Sequence, residues 1–315
     1  MSNDKAAGSA KRRPAASFLR QLAQRPLSLV GTILVAIFLF LTIFGPILAP
    51  HPYDQIIRGT DVGLESRRAL TRQPPSWQFL LGTDQRGRDI LSRMLFGARE
   101  TIGLPLVATL IAVAIGGSIG LAIGYVGGTL DDVVSRLLDS IISIPVMVLA
   151  LVMISTIVPT LADSGGALVR WLGAGNISLA IVVIIVYVPI IARVTRSATL
   201  SVRSAGYIEE ARLRGESTLY ILFSEIFPSV LPALVVEASL RLSYAIILVA
   251  SLGFLGLGVQ PPSPEWGRMV LEARPRMMQE PWELWAPVLA LAILIVSLNL
   301  MSDGFRRILR ADSRE

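Results

Sequence analysis

The sequence predicts an all-α integral membrane protein with six spanning helices. Three observations carry that prediction. Apolar residues make up 53% of the 315 and charged residues only 17%, and the mean hydropathy of +0.63 is too high for a water-soluble domain. Predominantly apolar runs fall near 27–49, 102–126, 137–158, 177–194, 231–257 and 284–302. Each is long enough to cross about 30 Å of hydrocarbon at about 1.5 Å per residue. The runs include Gly and Pro and do not alternate over about ten residues, as barrel strands would.

Residues 1–26 form a basic tail: Lys5, Lys11, Arg12, Arg13, Arg20 and Arg25 face only Asp4. The first fifteen or so are small and polar, a composition that favours disorder. Phe18, Leu19 and Leu22 against Arg20, Gln21 and Arg25 predict a short interfacial helix leading into the first span. No small-x-small cleavage site follows the run 27–49, which reads as an uncleaved signal anchor. By the positive-inside rule the tail is cytoplasmic, and six spans return segment 305–315, with Arg306, Arg307, Arg310 and Arg314, to the same side. The loop 50–101 then lies outside. Its eight Arg against six acids run against the rule, so the orientation rests on the two termini. The sequence pI of about 10.1 reflects topology and anionic lipid rather than nucleic acid.

Composition also removes whole classes of chemistry. There is no Cys, and His51 is the only His, which excludes disulfides, thiolate chemistry and zinc clusters. A Ser-His-Asp site would have to use His51. The only lysines are Lys5 and Lys11, and neither stands in a phosphate-cradling G-x-x-x-x-G-K-[ST] motif. The expectation is a non-catalytic chain with no catalytic residue, no metal site and no cofactor, so any nucleotide energy has to come from a partner. No internal repeat is evident and no span holds an acidic cluster. Both count against a self-sufficient secondary transporter, the rival reading.

In the loop 50–101, Gly82, Thr83, Asp84, Gly87, Arg88 and Asp89 predict a compact polar turn that either braces the loop or meets a partner. The second span carries small residues every fourth position, Ala108, Ala112, Gly116, Gly120, Gly124 and Gly128, a ridge suited to close helix approach. Asp132 and Asp139 bracket Arg136 at helical spacing ahead of the third span and predict a local ion network. Pro145 and Pro189 are candidate kinks. In the fifth span Glu237 and Arg241, at i,i+4, must pair or face water, and are read either as an ion pair near the cytoplasmic end or as lining the solute path. Trp266, Trp282 and Trp285 suggest a headgroup-level aromatic belt.

Between the fourth and fifth runs, residues 203–228 alternate charge and apolar groups. Ile208, Ala211, Gly215, Leu219, Leu222 and Ile226 recur at steps of three and four, with Glu209, Glu210, Arg212, Arg214 and Glu216 between them. That is an amphipathic helix. Gly215 sits where a C′ glycine ends a helix, Ser217 where a cap begins another, and Pro228 limits the second, so a helix-turn-helix is predicted. A hairpin lying on the bilayer would carry lysines. The mixture of acids and arginines suits a protein groove instead.

The spacing Glu209-x-Ala211-x-x-x-Gly215, with Pro228 thirteen residues beyond the glycine, resembles the coupling loop of ABC importer permeases. Glu210, Glu225 and Phe227 depart from that motif. LGTDQRGRDILSRMLFGAR (81–99), GYVGGTLDD (124–132) and FLGLGVQPPSPEWG (254–267) each resemble segments of the dipeptide, oligopeptide and nickel class, and the likeness covers almost the whole chain after residue 17. The resemblance implies a type I importer permease fold, with a core over 102–304 that holds five spans. It implies a second homologous permease, two ATPase subunits that bind ATP and magnesium, an extracytoplasmic solute-binding protein, and a bacterial inner membrane. Alternating access would be driven by the ATPases. Glu209, Ala211 and Gly215 carry over as coupling residues, and Glu210, Arg212 and Ser217 stand beside them. Asp84, Gly87, Arg88 and Asp89 would form the extracytoplasmic turn, with Glu237 and Arg241 in the path or paired. The solute class would be peptides, with nickel chelates, opines and glutathione served by similar chains.

Overall fold

A computed structural model describes residues 25–63, 67–164 and 166–312. The tail through residue 24, with its expected interfacial helix, lies outside the described residues. Among those described there is no strand longer than an isolated bridge, and six helices are long and apolar enough to span a membrane. They are Pro26–Leu48, Ile90–Val126, Val146–Asp163, Ala174–Val202, Thr218–Phe254 and Pro281–Ile308.

Several helices run beyond the apolar segments that announce them. The second span starts at Ile90 rather than near 102, because Ile90–Ala98 passes through a wide π turn, Arg99–Gly103, into Leu104–Val126. A π turn absorbs one extra residue without ending the helix, so part of the segment 50–101 belongs to the rod. The fourth span covers Ala174–Val202 and passes Pro189 without a break. The sixth reaches Asp312, taking in part of the segment 305–315.

The third span is corrected further. Gly128–Ile142 is a separate amphipathic helix, and the spanning helix starts at Val146, just after Pro145. Asp132, Arg136 and Asp139 do not form the expected local network. Asp131 instead takes both Nε and Nη2 of Arg196, the latter at 2.7 Å, while Asp139 faces Arg193 at 3.4 Å in an exposed pair. The Arg196 guanidinium holds the Asp131 carboxyl below the usual carboxylate range.

The core lies where the second, third, fourth and fifth spans meet, around Ala108, Ala112, Ile154, Val182, Ile191 and Val249. The small-residue ridge explains the closeness of the second and fourth spans. A Cβ added at Gly116 would stand 2.7 Å from the Val188 carbonyl oxygen, and one at Gly124 2.7 Å from Thr199 Cβ. The ridge is therefore packing within one chain, as far as Gly124. Gly128 leaves it, with φ +65° and open space around it. The first span is an outrigger, seated at Gly31 against the Ser297–Leu300 turn of the sixth span and at Gly45 against the Leu95 backbone.

Candidate functional site

The loop between the fourth and fifth spans is short, ordered and clamped at its root. Gly206–Leu213 is helical. It ends in a Schellman arrangement: Gly215 N–H donates to the Arg212 carbonyl at 3.0 Å and Glu216 N–H to the Ala211 carbonyl at 3.1 Å. Gly215 takes φ +75°, a left-handed conformation that only glycine adopts without cost. Ser217 accepts from Tyr220 N–H at 3.3 Å and caps the next helix. That helix does not stop at Pro228. Thr218–Tyr220 passes through a π turn, Ile221–Ile226, into Phe227–Phe254, and Pro228 stands just past the π turn.

Ile208 and Ala211 are fully buried against Leu121, Leu222, Ile226 and Val230. The Arg212 guanidinium lies 5.0 Å over the Tyr125 ring at the end of the second span. The opposite side is open: Glu209, Glu210, Arg212, Gly215 and Ser217 are exposed, and a Cβ at Gly215 would meet nothing within 4 Å.

A second constellation joins the loop 50–101 to the segment before the sixth span. Asp84 Oδ1 accepts from the backbone N–H of Arg86 and Arg88 at 2.8 and 2.9 Å, folding the turn around Gly87 at φ +82°. Asp84 Oδ2 accepts Arg88 Nε at 2.6 Å and Arg93 Nη1 at 2.9 Å. Both arginines then reach Glu272 Oε2, at 3.0 and 3.1 Å. Asp89 caps Ile90–Ala98 through Ser92. Arg88 is 2% exposed, Arg93 1% and Asp84 0%, so the turn faces inward and cross-links two loops. Glu265, which caps Trp266–Ala273 through Gly267 and Arg268 N–H, is so deeply buried that its carboxyl is pushed up to about 7.

The third constellation lies within the span bundle. Arg241 Nε donates to Glu237 Oε1 at 2.6 Å, and the guanidinium carbon sits 5.9 and 5.2 Å from the ring centres of Tyr187 and Tyr244. The pair stands at the middle of Phe227–Phe254 rather than near one end. Arg241, but not Glu237, lines an open-sided cavity of about 410 Å³ whose wall includes Met147, Ile190 and Leu248.

A family model, binding-protein-dependent transport system inner membrane component, matches residues 102–315. The chain belongs to this family. A second model, the N-terminal transmembrane domain of oligopeptide transport permease C, matches residues 14–75 of the permease. Among curated relatives, the di/tripeptide transport system permease protein DppC of Pseudomonas aeruginosa is 34% identical over 93% of this chain and 90% of its own. The dipeptide permease protein DppC of Escherichia coli K12 is 38% identical over 89% and 87%. The peptide permease protein SapC of Salmonella typhimurium is 35% identical over 89% and 88%. A chain of the MetNI methionine ABC transporter, solved facing inward, matches with a TM-score of 0.53 at 25% identity, over 68% of the permease and 94% of that chain. The fold is that of a type I ABC importer permease.

Sequence reasoning missed or misplaced several permease residues. Leu213 and Leu219 are 87% and 68% exposed, and Tyr220 and Phe223 are exposed beside them; Leu219 had been expected on the buried stripe. Leu213 could have been found as an apolar residue on the charged side of the stripe. Trp266 is not in a headgroup belt: it is 2% exposed and donates Nε1–H to the Met94 carbonyl at 3.0 Å. For the mid-span pair, a buried charge left alone is worse than none. Glu237→Gln or Arg241→Gln alone should therefore lower the permease's thermal stability more than the two together, and additive losses in a double-mutant cycle would show that the residues do not interact.

Proposed function

We propose that this permease pairs with a second homologous permease to form a translocation path for peptides, driven by two ATPase subunits and loaded by an extracytoplasmic binding protein. Both termini and the loop 203–228 face the cytoplasm, and the chain itself is non-catalytic, binding no cofactor. The observation that carries this reading is the shape of that loop. A helix rooted by Ile208 and Ala211 presents acids, an arginine and bare Leu213 to the exterior, and the helix after the turn adds bare Leu219. Exposed leucines among charges are costly in water and fit a groove on a protein partner. Peptides are favoured as solute because the relatives are named as peptide permeases.

The test is co-purification followed by reconstitution. The chain is expected to bring down its ATPase partners in stoichiometric amounts, and the assembled complex to take up a dipeptide only with ATP and the binding protein. Uptake by the chain alone in liposomes would overturn the proposal.

A further inference from the structure

The cavity beside Arg241 has one donor edge that its own chain leaves unused. Glu237 occupies Nε, and the two tyrosine rings lie close to the guanidinium carbon. Among the described residues, Nη1 and Nη2 of Arg241 have no hydrogen-bond acceptor. Glu237 is itself 7% exposed, whereas Arg241 lines the cavity, so the face offered to a ligand is the cationic one. The rest of the wall is mostly apolar, including Met147, Ile190 and Leu248. A volume of about 410 Å³ falls within the range of small-molecule sites, about 300–1,000 Å³.

Depth strengthens the point. Arg241 stands at the middle of Phe227–Phe254 and Tyr187 at the middle of Ala174–Val202, so two helices independently place the cluster at half-length. A charge there is tolerated when it is paired or faces a cavity, and Arg241 does both. We propose that the cavity is a transit site for a solute carboxylate, bound by the paired Nη1 and Nη2 donors of Arg241 while an apolar side chain rests against Met147, Ile190 and Leu248. Guanidinium forks match carboxylates in this two-bond geometry. The competing Glu237 keeps the site weak, as a transit site requires, since a carrier must release what it admits. For its ligand, a peptide C-terminus, the assignment rests on the peptide-import reading.

The test is equilibrium dialysis on the assembled permease–ATPase complex in nanodiscs, with the binding protein removed and radiolabelled dialanine and dialaninamide as probes. The wild-type complex is expected to hold dialanine about tenfold more tightly than the amide. Glu237→Gln/Arg241→Gln, which leaves a neutral hydrogen-bonding pair in place of the ion pair, should abolish the preference, and Arg241→Lys should restore only part of it. Equal retention of the two probes by wild type, or an unchanged preference in the double variant, overturns the site. Dialanine uptake by the complete system judges the import reading separately: uptake without a carboxylate preference leaves that reading standing and removes this one.

Discussion

Arg88→Ala is expected to detach the turn 82–89 from Trp266–Ala273. Removing it leaves buried Asp84 and part-buried Glu272 with Arg93 as their remaining shared cation. Breaking a buried pair by deleting one partner costs about 3–5 kcal/mol when the other charge is left alone, and Arg93 and Arg268 keep the loss here below that figure. The spans are made elsewhere, so insertion should survive while the two cross-linked segments loosen. Hydrogen exchange read over residues 82–89 and 266–273 should rise, and stimulation of ATP hydrolysis by the loaded binding protein should fall. Arg88→Lys should rescue part of this, since an ammonium supplies charge but not a planar fork spanning Asp84 and Glu272. Wild-type exchange at both segments in Arg88→Ala would refute the brace.

Gly215→Val is expected to insert normally and yet lose transport. The surrounding space is open, so the penalty is conformational: a left-handed residue with a Cβ costs roughly 1–2 kcal/mol, and a β-branched one more. The backbone escapes by giving up the two bonds that close the Schellman turn, Gly215 to Arg212 and Glu216 to Ala211, and the helix end is re-aimed. Gly215→Asn is the control, because Asn tolerates this conformation better than other residues with a Cβ. ATPase retention and uptake per inserted complex should be low for Val and largely restored for Asn. Loss of the protein with fully active survivors would indicate a folding defect instead, and normal values in Gly215→Val would remove the loop from coupling.

Six spans were legible because a run of about twenty mostly apolar residues has few other uses. Their ends were not, where two π turns carry helices through charge: Arg99–Gly103 includes Glu100, and Ile221–Ile226 includes Glu225. Local chemistry was also legible. Gly215 and Ser217 act on atoms within five residues of themselves, and so does the turn that Asp84 ties to Arg88. The other half of that turn's network was hidden, because Glu272 is 184 positions from Arg88 and nothing in the spacing announces it. The same holds for Asp131: Arg136 lay nearby in sequence, but Arg196, 65 positions away, is the partner the fold brings to it. For Arg241 the sequence showed the pair and hid the tyrosine from another span that turns it into a cavity wall.

The helix that begins at Thr218 is still the same rod at Arg241, about 35 Å further on at 1.5 Å per residue, interrupted by the π turn at Ile221–Ile226 and by Pro228 and Pro232 just beyond it. A rod of that length works as a lever arm. Swinging it by about 10° about one end carries the other through about 6 Å, on the order of one helical turn. A small rocking of the loop would thereby be geared up at the cavity, and the π turn with Pro228 and Pro232 puts the places where the helix can bend at the loop end of the shaft.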